Sequence, residues 1–560
     1  MKAFKCLLTV LLGAVLVLSC EKKEQGKKVY TITVDRDAIK DVAANNPGVE
    51  ALVITTDAPY WVLTAPDWVT PDTKQGVGGG KSTIVSLTIA SNYKNEATET
   101  FARSGEIKIS GGNTSVIVPI NQLGHKAVID PNASIGGIPT LAEFLDFVAC
   151  VNSGEAPIRW MNSKMEVELQ TDIDLATVEN WTPIGNVESS GNGNNASAAK
   201  GDGVFSSVFN GGGHTIRNFK ATKELAAGET WGLFGYISHA TIKNLNVEAD
   251  ITLSATGAAD AGVVVGTAFC STIENVHVTA KVTSTAGAST GARFAVGGVV
   301  GFMFSVTDSD TVYDSYVKDC EVTATVNMVK GNNTGNGATG VMYGGIVAFA
   351  TSVKEDTACN HIENCVHNGT MTVDIPRCSG ICSTANCGTH IEGCTNNASQ
   401  VNTFENGRVG QICCNLSVRS HLKDCVNTGD LTTSDSQTTT GALVALMGDD
   451  TAYIEGGERV ANTGTIIGGN TKYLSLLCAN NNKFDHLSDL KVAGKLGVYK
   501  ADGNHEMYAI SPATIMDFIG YINPAYIEKV SNITFVGEAT ELPSTGGGIN
   551  DLDPVNDTWN

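Results

Sequence analysis

Ile216-Arg-Asn-Phe219, Ile242-Lys-Asn-Leu245, Ile273-Glu-Asn-Val276, Val317-Lys-Asp-Cys320, Ile362-Glu-Asn-Cys365, Leu422-Lys-Asp-Cys425, Leu487-Ser-Asp-Leu490 and Val530-Ser-Asn-Ile533 are copies of one phrase. Each reads apolar, any residue, Asn or Asp, apolar. Ile391-Glu-Gly-Cys394 and the weaker Gly457-Glu-Arg-Val460 fill the gaps. Successive copies lie about 26 to 45 residues apart, the period of a solenoid.

A glycine phrase runs upstream in step with this tetrad: Gly232-Leu-Phe-Gly235, Gly262-Val-Val-Val-Gly266, Gly298-Val-Val-Gly301, Gly345-Ile-Val-Ala348, Gly380-Ile-Cys382, Gly410-Gln-Ile-Cys413 and Gly441-Ala-Leu-Val444. A third element follows the tetrad at Asn368-Gly369, Asn427-Thr-Gly429, Asn462-Thr-Gly464 and Ala493-Gly494. Each period thus holds three short apolar runs between Gly, Asn and Asp turns, which read as strands. Stacked at about 4.8 Å per coil, they predict a right-handed parallel β-helix over 165–536. Its interior column is Phe219, Leu245, Val276, Cys320, Cys365, Cys394, Cys425, Val460, Leu490 and Ile533. The turn Asn suits local hydrogen bonding and positive φ.

The formal net charge of the 560-residue chain is −21. That charge argues for solubility and against a nucleic-acid or anionic-lipid surface, whose phosphates call for Lys and Arg. Met1-Lys-Ala-Phe-Lys5, the apolar run Leu7 to Leu18 and Val17-Leu-Ser-Cys20 resemble a bacterial lipoprotein signal. The resemblance implies a signal peptide over 1–19, lipidation at Cys20, a charged tether over 20–28, and contact with the outer membrane through the lipid alone.

Residues 29–124 alternate in Val29-Tyr-Thr-Ile-Thr-Val34, Ser82-Thr-Ile-Val-Ser-Leu-Thr-Ile89 and Ser115-Val-Ile-Val-Pro-Ile-Asn-Gln122, with glycine turns between. This predicts an Ig-like β-sandwich. Tyr60-Trp61-Val62, Pro66-Asp-Trp68-Val-Thr70, Ser91-Asn92, Arg103-Ser-Gly105 and Asn121-Gln122-Leu-Gly124 resemble a BACON domain, a module of Bacteroidetes surface proteins whose family name assumes carbohydrate binding. Trp61 and Trp68 sit in strand patterns and are expected to pack in the core.

Residues 125–164 comprise a linker and a helix from Pro139, read as the first helical residue. Leu141, Phe144, Leu145 and Val148 form its apolar stripe, and the helix caps the open end of the solenoid. From Trp181 onward the repeats resemble the GLUG-type β-helical repeats of adhesin-like surface proteins, over about residues 165 to 500. The middle coils depart from that pattern, with Ala348 or Cys382 in place of the second glycine. A second short helix is expected over 511–520, and a flexible tail over 537–560.

The chemistry points away from catalysis. Cys320, Cys365, Cys394 and Cys425 occupy one register, where parallel Cα–Cβ vectors disfavour disulfides, so they are read as free buried thiols; a bridge among Cys378, Cys382, Cys387, Cys413 and Cys414 stays open. Cys359-Asn-His361-Ile-Glu-Asn-Cys365-Val-His367 has the density of a zinc site, yet Cys365 faces inward and His361 does not, so no metal or other cofactor is expected. β-Helix lyases and hydrolases need carboxylates clustered on one face, whereas Lys243, Glu274, Lys318, Glu363, Glu392 and Lys423 vary in sign beside the turn, as solvent-facing neighbours do. Leu542-Pro-Ser-Thr-Gly546 is a chance match to a sorting motif, and Asp551 to Asp557 lacks a calcium-loop context.

Asp310-Thr311-Val312, Asp356-Thr357-Ala358 and Asp450-Thr451-Ala452 match the Asp-Ser/Thr-apolar O-glycosylation pattern of Bacteroidetes secreted proteins and share one turn of their coils. Thr311, Thr357 and Thr451 are therefore candidate glycosylation sites. The leading functional expectation is a monomeric, non-catalytic, adhesin-like surface lipoprotein that binds a glycan or host surface, with Tyr313, Tyr316, Tyr343 and Tyr453 as candidate ligand contacts. A polysaccharide lyase or glycoside hydrolase, and a structural spacer, are the alternatives.

Overall fold

The computed structural model describes residues 28–94, 100–125, 134–189, 199–200, 202–285, 291–308, 310–335, 340–436, 438–469, 473–499, 505–508 and 519–537. The signal segment, Cys20, most of the helix expected over 511–520 and the tail lie outside them. The chain divides into two compact units, residues 1–131 and 132–560.

In the first unit, a four-stranded sheet (Ile32–Val34, Val49–Thr56, Ser82–Ile89, Val69–Pro71) and a five-stranded sheet (Ile39–Val42, Thr114–Gln122, Arg103–Gly111, Tyr60–Thr64, Gln75–Val77) form an Ig-like sandwich. Alternating residues of both sheets, among them Leu52, Ile54, Leu63, Leu87 and Ile107, fill one core, as the period of two requires. Trp61 is 1% exposed within it. Trp68 packs against its edge, with the Arg103 guanidinium 4.6 Å from the ring centroid.

The second unit is a parallel β-helix built from three sheets. A long sheet has 25 strands, a glycine sheet 8 and a third sheet 10. Each coil runs through the glycine sheet, the third sheet and the long sheet in turn, and its partners are the coils before and after. Ile242 pairs with Ile273, Val317 with Ile362, and Ile362 with Ile391.

Why the tetrad carries Asn, Asp or Gly at its third position is now a matter of backbone geometry. Asn218, Asn244, Asn275, Asp319, Asn364, Asp424, Asp489 and Asn532 all have φ between 46° and 58°, and Gly393 has φ 66°. This is the left-handed region that short polar residues and glycine tolerate best. The side chains then bond coil to coil: Asn275 Nδ2 donates to Asn244 Oδ1 at 2.8 Å, and Asn532 Nδ2 to Asp489 Oδ1 at 3.0 Å. The corner splits the long-sheet segment in two in the later coils, as at Thr389–Glu392 and Thr395–Asn396. The glycine phrase has a steric cause. A Cβ on Gly297 would lie 1.9 Å from the Val300 carbonyl oxygen, because the chain folds back on itself there.

Inside the tube, Phe219, Leu245, Val276, Cys320, Cys365, Cys394 and Cys425 are all 6% exposed or less. Their neighbours in register confirm the column: Lys318 and Glu321 pair with Glu363 and Val366, which pair with Glu392 and Thr395. The thirteen cysteines among the described residues are free, and the column thiols donate weakly to carbonyls of the preceding coil, Cys394 Sγ to Ile362 O at 3.4 Å and Cys425 Sγ to Ile391 O at 3.3 Å. Val460 departs from the expected column. It is part-exposed and pairs with Lys491, not Leu490, because its coil carries extra residues between Glu455 and Asn462.

A second column of amides is fully buried at the next corner. Asn396 Nδ2 donates to Asn427 Oδ1 at 2.9 Å, and Asn427 Nδ2 to Asn462 Oδ1 at 2.8 Å. Each of these amides also donates to a carbonyl two residues on, as Asn427 does to Gly429 O at 2.9 Å. An amide both donates and accepts, so a stack of them satisfies itself.

The cap helix spans Leu141–Asn152 with Thr140 as its N-cap, Thr140 Oγ1 accepting from Glu143 N. Pro139 therefore stands before the cap, not at the first helical position. The buried stripe is Phe144, Phe147, Val148 and Val151, while Leu145 is 38% exposed. The stripe thus follows i, i+3, i+4, i+7 from Phe144. Phe144 stacks on Trp181 at 6.0 Å between centroids and Phe147 meets Trp160 at 5.8 Å, plugging the first coil with rings.

Candidate functional site

The residue just before each tetrad lies on the outer face of the long sheet, because the tetrad's first apolar residue points in and successive side chains alternate. From Tyr316 onward this position holds rings: Tyr316, His361, His390, His421, Tyr453 and His486, each paired in register with the next. They form a continuous stack. Centroid separations are 4.6 Å for Tyr316–His361, 5.0 Å for His361–His390, 4.1 Å for His390–His421, 4.5 Å for His421–Tyr453 and 4.5 Å for Tyr453–His486. Only His361–His390 is edge-to-face; the other four are parallel. At about 4.8 Å per coil, six rungs extend about 24 Å along the solenoid.

The ring faces are occupied by neighbouring rungs, so the outward edges, carrying imidazole nitrogens and phenol hydroxyls, are what the ladder presents. Carboxylates border them. Asp314 Oδ2 lies 3.5 Å from His361 Nε2, Glu363 Oε1 3.6 Å from His361 Nδ1, and Glu392 Oε1 2.7 Å from His421 Nε2. Burial, reinforced by His421 and His361, pushes His390 down to about 4. Burial also lowers His421, against the pull of Glu392. The two inner rungs are therefore neutral at pH 7. Burial and neighbouring carboxylates raise the Tyr316 and Tyr453 phenols, so both keep their protons.

Two residues along each strand, on the same face, runs the column Glu274, Lys318, Glu363, Glu392, Lys423, Glu455. Opposite charges meet at Lys318–Glu274 (2.9 Å) and Lys423–Glu455 (3.3 Å). Exposed as they are, such pairs add little stability. They do give the face a fixed alternation of charge.

Of the four candidate tyrosines, Tyr316 and Tyr453 are ladder rungs. Tyr313 lies on the hairpin strand Thr311–Tyr313 and meets His239 edge-on at 4.9 Å. Tyr343 is fully buried in the solenoid core, in register with Val296 and Cys378 on the inward side of the glycine sheet, and so faces no ligand. Thr311, Thr357 and Thr451 are all exposed in the turn between the third and long sheets, and Thr451 Oγ1 donates to Asp449 Oδ1 at 2.6 Å. The dense Cys359 to His367 stretch diverges: Cys365 and His367 point into the core, His361 onto the outer face. Among the described residues no group of three or more His, Cys, Asp and Glu is placed to hold a metal ion.

A polar cleft of about 570 Å³ opens at the turn from the long sheet into the glycine sheet, lined by Asp374, Glu405 and Asn333, with Lys330 Nζ 4.7 Å over the Phe404 ring. Two adjacent coils contribute to it.

The fold places the chain among all-β proteins that join an Ig-like sandwich to a helix-capped parallel β-helix. No protein-family model and no curated protein sequence matches it. Among solved structures, it is similar to a Bacteroides ovatus protein provisionally assigned as an immunoglobulin A1 protease, at 20% identity and TM-score 0.37, over 53% of this chain and 76% of that one. It is also similar to a structure described as IgA1 protease, at 13% identity and TM-score 0.36, over 82% of this chain. The chain spans 27% of that protein's length.

Proposed function

We propose that the protein is a non-catalytic binding protein of the bacterial surface, which takes an extended glycan along the ring ladder of the long sheet. The observation that carries this reading is the ladder itself: six rungs at coil spacing, edges outward, bordered by carboxylates. A linear array of hydrogen-bonding edges at about 4.8 Å suits a polymer whose repeat is of similar length lying parallel to the solenoid axis. Sugar hydroxyls both donate and accept, and so can pair with neutral imidazoles, phenols and carboxylates alike.

The finer assignment follows the sequence motifs: a BACON-like first unit, GLUG-type repeats, and an outer-membrane anchor at lipidated Cys20. Thr311, Thr357 and Thr451, all exposed in one turn, are the proposed O-glycosylation sites, away from the ladder.

A glycan array probed with residues 28–560, beside the double variant His390→Ser/Tyr453→Ser, tests the reading. The native chain is expected to bind a defined set of extended glycans and the variant to lose at least tenfold in affinity. Equal binding by the two proteins overturns the reading, as does release of new reducing ends or unsaturated sugars from a bound glycan.

A further inference from the structure

The outer side of the corner where the glycine sheet meets the third sheet contains buried charge, handled in two different ways. In the earlier coils Arg293, 4% exposed, is matched: Nε donates to Asp260 Oδ1 at 2.9 Å and Nη2 to Oδ2 at 2.6 Å, with the guanidinium 4.4 Å from the Phe302 ring centroid. Asp260 heads a column that continues, coil by coil, through Ala295, Met342, Arg377 and Arg408. Two arginines thus stack on adjacent strands, Arg377–Ser379 and Arg408–Gly410.

Neither has a carboxylate. Arg377 is 4% exposed; its Nη1 donates to Thr384 Oγ1 at 2.8 Å, and its Nε is buried with no partner. Ser379, two residues on and so on the same side of the strand, has a buried hydroxyl that is also unpaired. Arg408 is part-exposed, and its charge opposes that of Arg377. Burial holds the nearby Cys414 thiol above its usual range, so it stays neutral and supplies no counter-charge. A buried guanidinium beside a second one, in a chain of net charge −21, is unfavourable unless something anionic completes it.

We propose that this corner is a binding site for an oxyanion, the carboxylate or sulfate of an acidic sugar, held by Arg377 and Ser379 at the back and Arg408 at the mouth. A planar guanidinium fork matches such an oxyanion better than an ammonium does. The site is on different sheets from the ring ladder and does not rest on the glycan reading given for it.

Isothermal titration calorimetry on residues 28–560, with glucuronate, glucose 6-sulfate and glucose as probes, tests the proposal. Binding of either acidic sugar, with neutral glucose at least tenfold weaker, is expected; which acid binds tighter distinguishes carboxylate from sulfate. Arg408→Gln, at the part-exposed mouth where folding is least at risk, is expected to weaken acid binding at least tenfold, and Arg408→Lys to recover only part of it. The His390→Ser/Tyr453→Ser variant is expected to bind the acid as the native chain does, which separates failure here from failure of the ladder. Unchanged binding by Arg408→Gln, equal binding of glucose, or no heat with either acid overturns the proposal.

Discussion

Asn427→Ala removes the middle rung of the inner amide column, and the structure sets the size of the effect. Asn427 is fully buried and makes three hydrogen bonds through its side chain: it accepts from Asn396 Nδ2 at 2.9 Å and donates to Asn462 Oδ1 at 2.8 Å and Gly429 O at 2.9 Å. Stranding a buried polar group costs about 1–3 kcal/mol. Each group left behind keeps a poorer partner: Asn396 Nδ2 has Ala398 O at 3.1 Å, Asn462 Oδ1 has Gly464 N at 3.3 Å, and Gly429 O has Gln411 Nε2 at 3.4 Å. The low end of the range therefore applies to each, and the expected loss is about 3 kcal/mol. Thr428→Ala is the control next door. That side chain is exposed, with one bond to Asn397 Oδ1, and its loss is expected to stay within about 0.5 kcal/mol. Urea unfolding followed by far-ultraviolet circular dichroism gives both numbers. Because solenoids couple mainly to nearest neighbours, hydrogen exchange is expected to rise most in peptides covering 394–431 and 460–468, and least near 245–255. A loss under about 1 kcal/mol for Asn427→Ala, or one no larger than for Thr428→Ala, would show that the amide column is not what holds this corner.

Acid is expected to destabilise the solenoid through His367. Its ring is fully buried, with Nδ1 3.1 Å from Asn396 Oδ1, and burial pushes it down to about 4 against an ordinary value of 6.5. The unfolded chain takes up a proton that the native ring refuses, so stability present above pH 6.5 is lost as pH falls toward 4, by about 3 kcal/mol in all. His390 acts in the same direction with a smaller, solvent-screened share; in His367→Gln the urea midpoint is expected to fall less between pH 7 and pH 4.5, and an unchanged slope would remove His367 as the cause. Tyr453→Ala breaks two parallel stacks at 4.5 Å and is expected to cost about 1–3 kcal/mol, read as a lower melting temperature; Tyr313→Ala, outside the ladder, serves as comparison. Native alkylation with a thiol reagent is expected to leave Cys320, Cys365, Cys394 and Cys425 unlabelled, because each is buried and burial pushes Cys365 and Cys425 well up, whereas labelling in urea reaches all four; a disulfide-linked peptide among them would contradict the column. Protein expressed in a Bacteroidetes host is expected to carry added glycan mass that falls stepwise in Thr311→Ala, Thr357→Ala and Thr451→Ala.

The tetrad was legible because its third position obeys a backbone rule. Only residues that accept φ near +50° serve there, so Asn, Asp and, once, Gly393 recur whatever else changes. The amide column could be read in Asn427-Thr-Gly429 and Asn462-Thr-Gly464, and less easily where Asn396 is followed by Asn397 and Ala398. The ring ladder escaped notice although its signal is plain: the residue before each tetrad is Tyr316, His361, His390, His421, Tyr453 and His486 in six successive copies. Attention to the tetrad's second position found the charges and passed over the rings one residue upstream. Val460 was misplaced because its copy of the phrase had lost both the apolar start and the turn residue, and the extra chain before Asn462 shifts the register. Arg377 and Arg408 were hidden for a related reason. They align only if Ser379 is recognised as the equivalent of Gly344 and Gly410, and a serine breaks the glycine signal that marks the corner.

A solenoid stacks each side chain on its own equivalent, and that geometry sorts residues by whether they tolerate a copy of themselves at about 4.8 Å. Amides do, since each donates and accepts; rings do, by stacking; thiols and aliphatics do, by packing. Like charges do not. The charged column beside the ladder mostly respects this, pairing Glu274 with Lys318 and Lys423 with Glu455. Where it places Glu363 above Glu392, imidazoles stand by: His361 is 3.6 Å from Glu363 and His421 2.7 Å from Glu392. Arg377 over Arg408 is like on like without such relief, inside a wall where Arg293 was given Asp260. Packing alone would favour an aliphatic pair at this position, continuing Ala295 and Met342. The fold therefore explains the amides, the thiols and the rings as structure first and function second, whereas the arginine pair makes physical sense only with a partner of opposite charge.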